Sequence, residues 1–117
     1  MRSENVIVVK SFDFSIRIVR LYQYLTKEKR EFILSKQLLR CGTSIGANVN
    51  EAQAAQSKKD FVAKMSISSK EARETRYWIE LLIATDYLSI DDAHTKSLLN
   101  DSIELIKLLT SITKNAH

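Results

Sequence analysis

The sequence predicts an all-α protein, and three observations support this. The 117 residues include no proline and only two glycines, the residues that mark hairpins and strand connections. Apolar residues recur at helical spacing along most of the chain. Short polar segments separate four such stretches. We therefore expect a single domain over residues 1–117 that forms an antiparallel, up-down-up-down four-helix bundle.

The first predicted helix begins between Asn5 and Ser11 and ends near residue 26. Residues 6–9 are all β-branched and are alternatively an extended lead-in. Together the apolar rows of this helix are wider than one partner helix would cover, so copies of the chain could also pair through it. There are two such rows: Phe12, Ile16 and Val19, and Phe14, Ile18, Leu21 and Leu25.

The other three helices are predicted at about residues 31–56, 58–86 and 91–114. Ser57 is expected to cap the third helix, with Asp60 placed at its positive end, and residues 89–92 are expected to cap the fourth. The second helix has a regular apolar stripe of Leu34, Leu38, Cys41, Ile45, Val49 and Ala52.

Catalytic and metal chemistry find little support in the sequence. Cys41 is the only cysteine and has no histidine on its own helix, so we expect a buried core residue rather than a nucleophile. The spacing Asp91-x-x-His94 occurs once, whereas di-iron bundles need such a motif twice with two further carboxylates. His117 is the last residue of the sequence. We therefore expect no catalytic residues, no metal and no cofactor.

The sequence also bears on the compartment. It contains no apolar run of the ~20 residues that a membrane span needs. Its first residues have only the short apolar run 6–9 and lack the features of a signal peptide. We expect a protein of a reducing, bacterial-type cytoplasm with no membrane partner.

Two glycines in the middle of the second helix, Gly42 and Gly46, require a reason, because each costs ~1 kcal/mol relative to alanine there. They lie four residues apart on one face, which favours close packing of another helix over the alternative of a ligand-binding groove.

Polar residues on the second and third helices allow two interpretations. They form either a solvated face with weak ion pairs or a network between the helices that fixes their register. The candidate members of that network are Asn48, Glu51, Arg73 and Glu74.

Positive charge is concentrated near the start of the chain. The net charge is +4, and residues 1–30 hold seven Lys/Arg against three Asp/Glu. Phosphate groups are the natural partners of such a surface, and an oligomer would multiply its charge. No sequence-specific recognition module is visible, so binding should depend on shape and charge. The candidate nucleic-acid-binding residues are Arg17, Arg20, Lys27, Lys29, Arg30, Lys36 and Arg40.

Five segments closely resemble one known family. They are residues 17–22 (RIVRLY), 35–40 (SKQLLR), 43–52 (TSIGANVNEA), 57–61 (SKKDF) and 69–78 (SKEARETRYW). The family is that of the four-helix-bundle proteins encoded in intervening sequences of bacterial 23S ribosomal RNA genes, to which a ribosomal-protein label is sometimes attached. The resemblance covers nearly the whole chain and is weakest after about Asp91.

The resemblance implies a homopentameric ring. The family also looks related to the accessory variability determinant of diversity-generating retroelements, a basic pentamer that binds nucleic acid and a reverse transcriptase. By this kinship the expected partners are other copies of the chain, RNA or DNA, and a protein such as a reverse transcriptase. No catalytic residues carry over. The shared residues Ser44, Asn48, Glu51, Arg73 and Glu74 are interpreted as structural.

Two functions follow as hypotheses. The first is a non-enzymatic oligomeric protein that binds RNA or DNA phosphates through its basic surface. The second is a protein-interaction scaffold, or an accessory subunit, with no physiological nucleic-acid binding.

Overall fold

Four α-helices make up most of residues 3–116, the part of the chain that the computed structural model describes. They are α1 (Ser3–Lys27), α2 (Leu34–Ala52), α3 (Lys58–Ala84) and α4 (Ala93–Asn115). No strand occurs within these described residues. The all-α prediction is therefore confirmed over that range, and the fold measures 44 × 23 × 20 Å along its principal axes.

The helix boundaries differ most from the predictions at α1 and α2. Helix α1 begins at Ser3, before the predicted start between Asn5 and Ser11. Residues 6–9 are helical, so the alternative of an extended lead-in is wrong. Helix α2 is shorter at both ends than the predicted 31–56. Its start is displaced because Glu31 lies outside the helix and caps it. It ends early because the amides of residues 53–55 bond to carbonyls only three residues back, which tightens the chain into turns.

Side-chain caps set the starts of α3 and α4. Ser57 Oγ accepts a hydrogen bond from the amide of Asp60 at 3.0 Å, so the predicted cap of α3 is confirmed. At α4 the cap is Asp92, whose Oδ1 accepts from the amide of His94 at 3.1 Å. Two residues after the end of α3, Asp86 adopts a left-handed conformation with φ 68°.

The core is formed by one face of each helix. On α1, the row Phe14, Ile18 and Leu25 is buried, whereas Phe12 is 65% exposed and leads an uncovered second row. The stripe predicted on α2 is buried except for the half-buried Leu34. Further core residues are Ile7, Met65, Ala72, Ile79, Leu82, Leu98, Leu105, Ile106, Leu109 and Ile112.

Each helix packs against two others: α1 against α2 and α4, and α3 against α2 and α4. Between α2 and α3, Ser68 Oγ donates to the carbonyl of Ile45 at 2.8 Å, and Lys64 pairs with Glu51 at 3.3 Å. Residue numbers that rise along α2 therefore fall along α3 at these contacts.

Candidate nucleic-acid interface

The α1–α2 turn, residues 28–33, is held by a buried carboxylate. Glu31 is only 8% exposed. Its Oε2 accepts from the amides of Ile33 (3.1 Å) and Leu34 (3.0 Å), and its Oε1 accepts from the amide of Ser35 (2.7 Å). These are first-turn amides of α2, which a helix leaves unpaired and which favour negative charge. Glu31 thus replaces the side-chain cap that Ile33 lacks.

Two further hydrogen bonds hold the backbone of Glu31 in place. The amide of Glu31 donates to the carbonyl of Leu25 at 2.9 Å, and Ser35 Oγ donates to the carbonyl of Glu31 at 2.7 Å. The turn is therefore tied to the end of α1 and to the start of α2. Burial opposes ionisation of Glu31, but the amide and hydroxyl hydrogen bonds outweigh it, and its pKa lies below the ordinary value of 4.5.

Arg30 adopts an unusual backbone conformation within the turn. Its φ is 55°, in the left-handed region that glycine adopts readily and other residues pay to enter. The exposed guanidinium lies over the ring of Phe32, with Cζ 5.3 Å from the ring centroid. In the same region Lys29 Nζ lies 6.0 Å from the ring centroid of Tyr24. Two aromatic rings at this turn are therefore each paired with a cation.

Five of the seven predicted nucleic-acid-binding residues are exposed and have no carboxylate within 4.0 Å among the described residues. They lie in the last two turns of α1, in the α1–α2 turn and in the first turn of α2. We call them the turn cations: Arg20, Lys27, Lys29, Arg30 and Lys36.

The other two predicted binding residues are engaged within the protein. Arg17 donates to Asp101 Oδ2 at 2.6 Å and also to Ser97 Oγ and the carbonyl of His94, which fastens α1 to α4. Arg40 forms ion pairs with Glu71 and Glu74 on α3. A phosphate would have to displace these internal partners, so we leave both arginines out of the turn cations.

Acidic residues border this surface on one side. The segment between α3 and α4 contains three exposed aspartates, Asp86, Asp91 and Asp92. Asp92 lines a hollow of about 490 Å³ between α1 and α4, together with Tyr24 and Leu88. Arg20, one of the turn cations, lines the same hollow. The basic surface therefore meets the acidic segment at this hollow, a boundary that the net charge alone does not show.

The four residues proposed for an interhelical network do not come together in one. Asn48 Nδ2 donates to the carbonyl of Ser44, one turn back on its own helix. Glu51 pairs with Lys64. In the observed register, α3 residues 64 and 74 lie ten positions, or about 15 Å, apart along one helix.

Arg73 and Glu74 make separate contacts on α3. Arg73 donates to Thr110 Oγ1 on α4 at 3.3 Å. Glu74 accepts from Arg40 and from Trp78 Nε1. Two sets of ion pairs join α2 to α3: Lys64 with Glu51, and Arg40 with Glu71 and Glu74. Of these residues, Arg40 is the one assigned from the sequence to the basic surface instead.

The glycine pair allows α1 and α2 to approach closely. A Cβ on Gly42 would lie 2.8 Å from two carbons of Ile18, and one on Gly46 would lie 3.1 Å from Ser15 Oγ. Ser44 Oγ donates to the carbonyl of Arg40 within α2. Gly46 also lines an open groove of about 640 Å³ between α1 and α2.

Cys41 lies in the core, as expected from the sequence. Its Sγ faces the carbonyl of Leu38 at 3.6 Å, and burial is the main cause that raises the pKa of the thiol to about 11. Within residues 3–116, no group of three or more His, Cys, Asp or Glu side chains is arranged to hold a metal ion. None of the described helices is long and apolar enough to cross a membrane.

Fold and surface together define a class of small all-helical proteins with a basic turn between the first two helices. The sequence matches the family model of the 23S rRNA-intervening sequence protein over residues 3–111. The chain belongs to this family.

A solved structure supports the assignment. The chain is similar to a protein with unknown function from the S23 ribosomal protein family of Bacteroides thetaiotaomicron VPI-5482, with 52% identity and a TM-score of 0.92. The similarity covers 97% of this chain and 99% of that one. No curated protein sequence matches this chain.

Proposed function

We propose that this protein is a non-enzymatic, self-associating protein that binds the phosphates of RNA or DNA through the turn cations. The observation that carries the proposal is their common state: all five are exposed, close in the chain and without an internal carboxylate partner among the described residues. Arginine and lysine side chains in this state neutralise phosphates and release counterions, which makes binding depend on salt.

The test is a charge reversal with a matched control. The variant Lys27→Glu/Lys29→Glu/Lys36→Glu removes three turn cations. The control Lys58→Glu/Lys59→Glu/Lys114→Glu makes the same change in net charge with three exposed lysines, two at the start of α3 and one in the last turn of α4. Binding to a single-stranded RNA and a DNA duplex is measured by fluorescence anisotropy across a salt series.

We expect the first variant to lose at least about tenfold in affinity near physiological salt. For single strands its salt slope should fall by about 2, as expected for three lost phosphate contacts. The control should stay within about threefold of the unmodified protein. Equal losses in the two variants, or no loss in either, would contradict the assignment of the surface.

Self-association is supported by the uncovered row of α1. Val9, Phe12, Ile16 and Val19 are exposed and spaced by three, four and three residues, which is the spacing of a coiled-coil seam. We call these four residues the α1 seam. An apolar strip of this regularity is suited to pairing with another helix, and the family resemblance suggests a cyclic pentamer of antiparallel bundles, with other copies of the chain as partners.

A protein-interaction scaffold is the second candidate function. It is favoured by the same α1 seam and by the exposed aspartates Asp86, Asp91 and Asp92, which would oppose nucleic acid at one side of the turn. In that case the partner is a protein, such as a reverse transcriptase in the related systems. Nucleic-acid binding would then vanish near ~150 mM salt, and a defined partner would be recovered in pull-downs.

A further inference from the structure

The most exposed apolar residues of the α1–α2 turn stand in its basic surroundings. Phe32 is 51% exposed and Ile33 is 75% exposed. A ring of this size projecting into water loses the benefit of burial. Neither side chain belongs to the buried core, which includes Leu25 near the end of α1 and Leu38 near the start of α2.

The position of Phe32 is fixed rather than left to a loose loop. It stands between Glu31, whose carboxylate binds three amides of the following residues, and Ile33, which supplies one of those amides. A preorganised side chain loses less entropy on binding than one that must be ordered. The turn therefore presents the ring at little conformational cost.

Charge complementarity indicates what the ring faces. Arg30 lies over Phe32, and Lys29 lies over the ring of Tyr24 nearby. Lys27 and Lys36 flank the turn and are also exposed. Cations that contact the phosphates beside an aromatic ring that stacks on the base are the two components of single-strand binding.

We propose that Phe32 is a stacking platform for an unpaired nucleobase, so that the preferred ligand is single-stranded RNA or DNA, or a loop, and not a duplex. The bases of a duplex are stacked inside the helix and cannot present a face to Phe32, whereas every unpaired base can. This inference rests on the proposed function, because the turn cations must hold the strand in place.

The test compares three probes of equal length: a single-stranded oligonucleotide, the corresponding duplex, and a single strand made of abasic sites. Phe32→Leu removes the π-face and keeps an apolar side chain. Ile33→Ala is the matched control, because Ile33 is more exposed and adjacent but has no ring. Circular dichroism checks that both variants fold.

We expect Phe32→Leu to weaken single-strand binding by about 5- to 100-fold. Its affinity for the duplex and for the abasic strand, and its salt slope, should match those of the unmodified protein. Ile33→Ala should change every affinity by less than about twofold.

Several outcomes would overturn the stacking role. Unchanged single-strand binding by Phe32→Leu would do so, as would an equal loss on the abasic strand or an equal loss in Ile33→Ala. Binding of the unmodified protein to vesicles of phosphatidylcholine and phosphatidylglycerol, with no effect of Phe32→Leu on single strands, would assign the turn to an anionic bilayer.

The outcomes also separate the two proposals. If the lysine reversals at residues 27, 29 and 36 abolish binding and Phe32→Leu does not weaken it, the phosphate surface stands and the stacking platform fails. If the unmodified protein binds neither strand nor duplex at physiological salt, the proposed function fails, and the stacking platform fails with it.

Discussion

Gly42 lies directly against Ile18, so closely that a Cβ at position 42 would stand 2.8 Å from both Cγ1 and Cγ2 of that side chain. Ile18 is fully buried and cannot move away without disturbing its neighbours. The absence of a side chain at one position of α2 therefore sets how near α1 can come.

This contact predicts that Gly42→Ala changes stability in opposite directions in the unmodified protein and in an Ile18→Ala variant. Gly42→Ala should gain about 1 kcal/mol of helix propensity and lose about 1–3 kcal/mol to overpacking, for a net loss of stability. In an Ile18→Ala background the clash is gone, so the same change should be stabilising. Urea unfolding of the four proteins at one protein concentration measures the cycle. Additive effects would show that Ile18 does not limit the approach.

The Glu31 cap predicts a loss of stability that depends on pH. Both carboxylate oxygens of Glu31 accept hydrogen bonds from backbone amides. In Glu31→Gln an NH₂ group replaces one of these oxygens and cannot accept from an amide. The variant should therefore lose about 1–3 kcal/mol in the free energy of unfolding at pH 7. Because the folded pKa of Glu31 lies below 4.5, its contribution is present above that pH and is lost as the pH falls through the folded value.

The difference between Glu31→Gln and the unmodified protein should therefore narrow in acid. Thermal unfolding between pH 3 and pH 7 measures it. Glu28→Gln is the control, because Glu28 is exposed on the same turn, and it should change little at any pH. A stability difference between Glu31→Gln and the unmodified protein that stayed constant from pH 3 to pH 7 would show that ionisation of Glu31 does not contribute to stability.

If copies of the chain associate through the α1 seam as proposed, a single charge placed in the seam should prevent the association. Phe12→Asp should abolish the proposed self-association and leave a monomer of unchanged helical content, because Phe12 is 65% exposed within the single chain and contributes little to its core. Light scattering gives the mass, and circular dichroism gives the helicity. Tyr77→Asp, an equally drastic change at an exposed aromatic residue of α3, should leave the mass unaltered. Dissociation by Tyr77→Asp alone would move the interface to α3.

Cys41 predicts slow thiol chemistry. A buried thiol with a pKa near 11 is neutral and inaccessible in the native state at pH 8. A chromogenic disulfide reagent should therefore modify it no faster than the protein opens, with a rate that saturates as reagent concentration rises. Rapid labelling proportional to reagent would mean that the thiol is reached from the folded state.

Arg30 predicts that affinity and stability respond in opposite directions. Arg30→Gly relieves the left-handed backbone and removes a turn cation, so the free energy of unfolding should stay equal or rise by up to about 1 kcal/mol while nucleic-acid affinity falls. Arg30→Ala keeps the strained backbone and loses the contact with the Phe32 ring. Both its free energy of unfolding and its nucleic-acid affinity should therefore fall. Urea unfolding and anisotropy titrations on the same preparations give the two quantities. If Arg30→Gly bound nucleic acid as tightly as the unmodified protein, Arg30 would not be part of the nucleic-acid interface.

The positions of the helices could be predicted from the sequence, but the neighbours that each helix face packs against could not. Helical spacing placed all four helices and identified both apolar rows of α1, but periodicity alone does not tell which row faces the core. That depends on the partner helices, and here α2 and α4 cover the row of Phe14 and Ile18 and leave Phe12 exposed.

The candidate site shows the same limit. Local charge counts identified the turn cations, since most of them lie within ten residues. The same counts could not reveal that Asp101 engages Arg17 or that Glu71 and Glu74 engage Arg40, because those partners are distant in sequence. The capping role of Glu31 was missed, although an acidic residue just before an apolar helix start is a recognisable signal.

The left-handed backbone at Arg30 has a consequence for how the family changes over time. Selection for folding alone gives no reason to keep a long, charged side chain where glycine fits the backbone without strain. Under the proposed function, a relative that lost nucleic-acid binding would be free to change to glycine or asparagine at this position, whereas one that binds would keep a cation. The proposal thus makes the residue at this position of the α1–α2 turn a marker of which relatives keep the binding role.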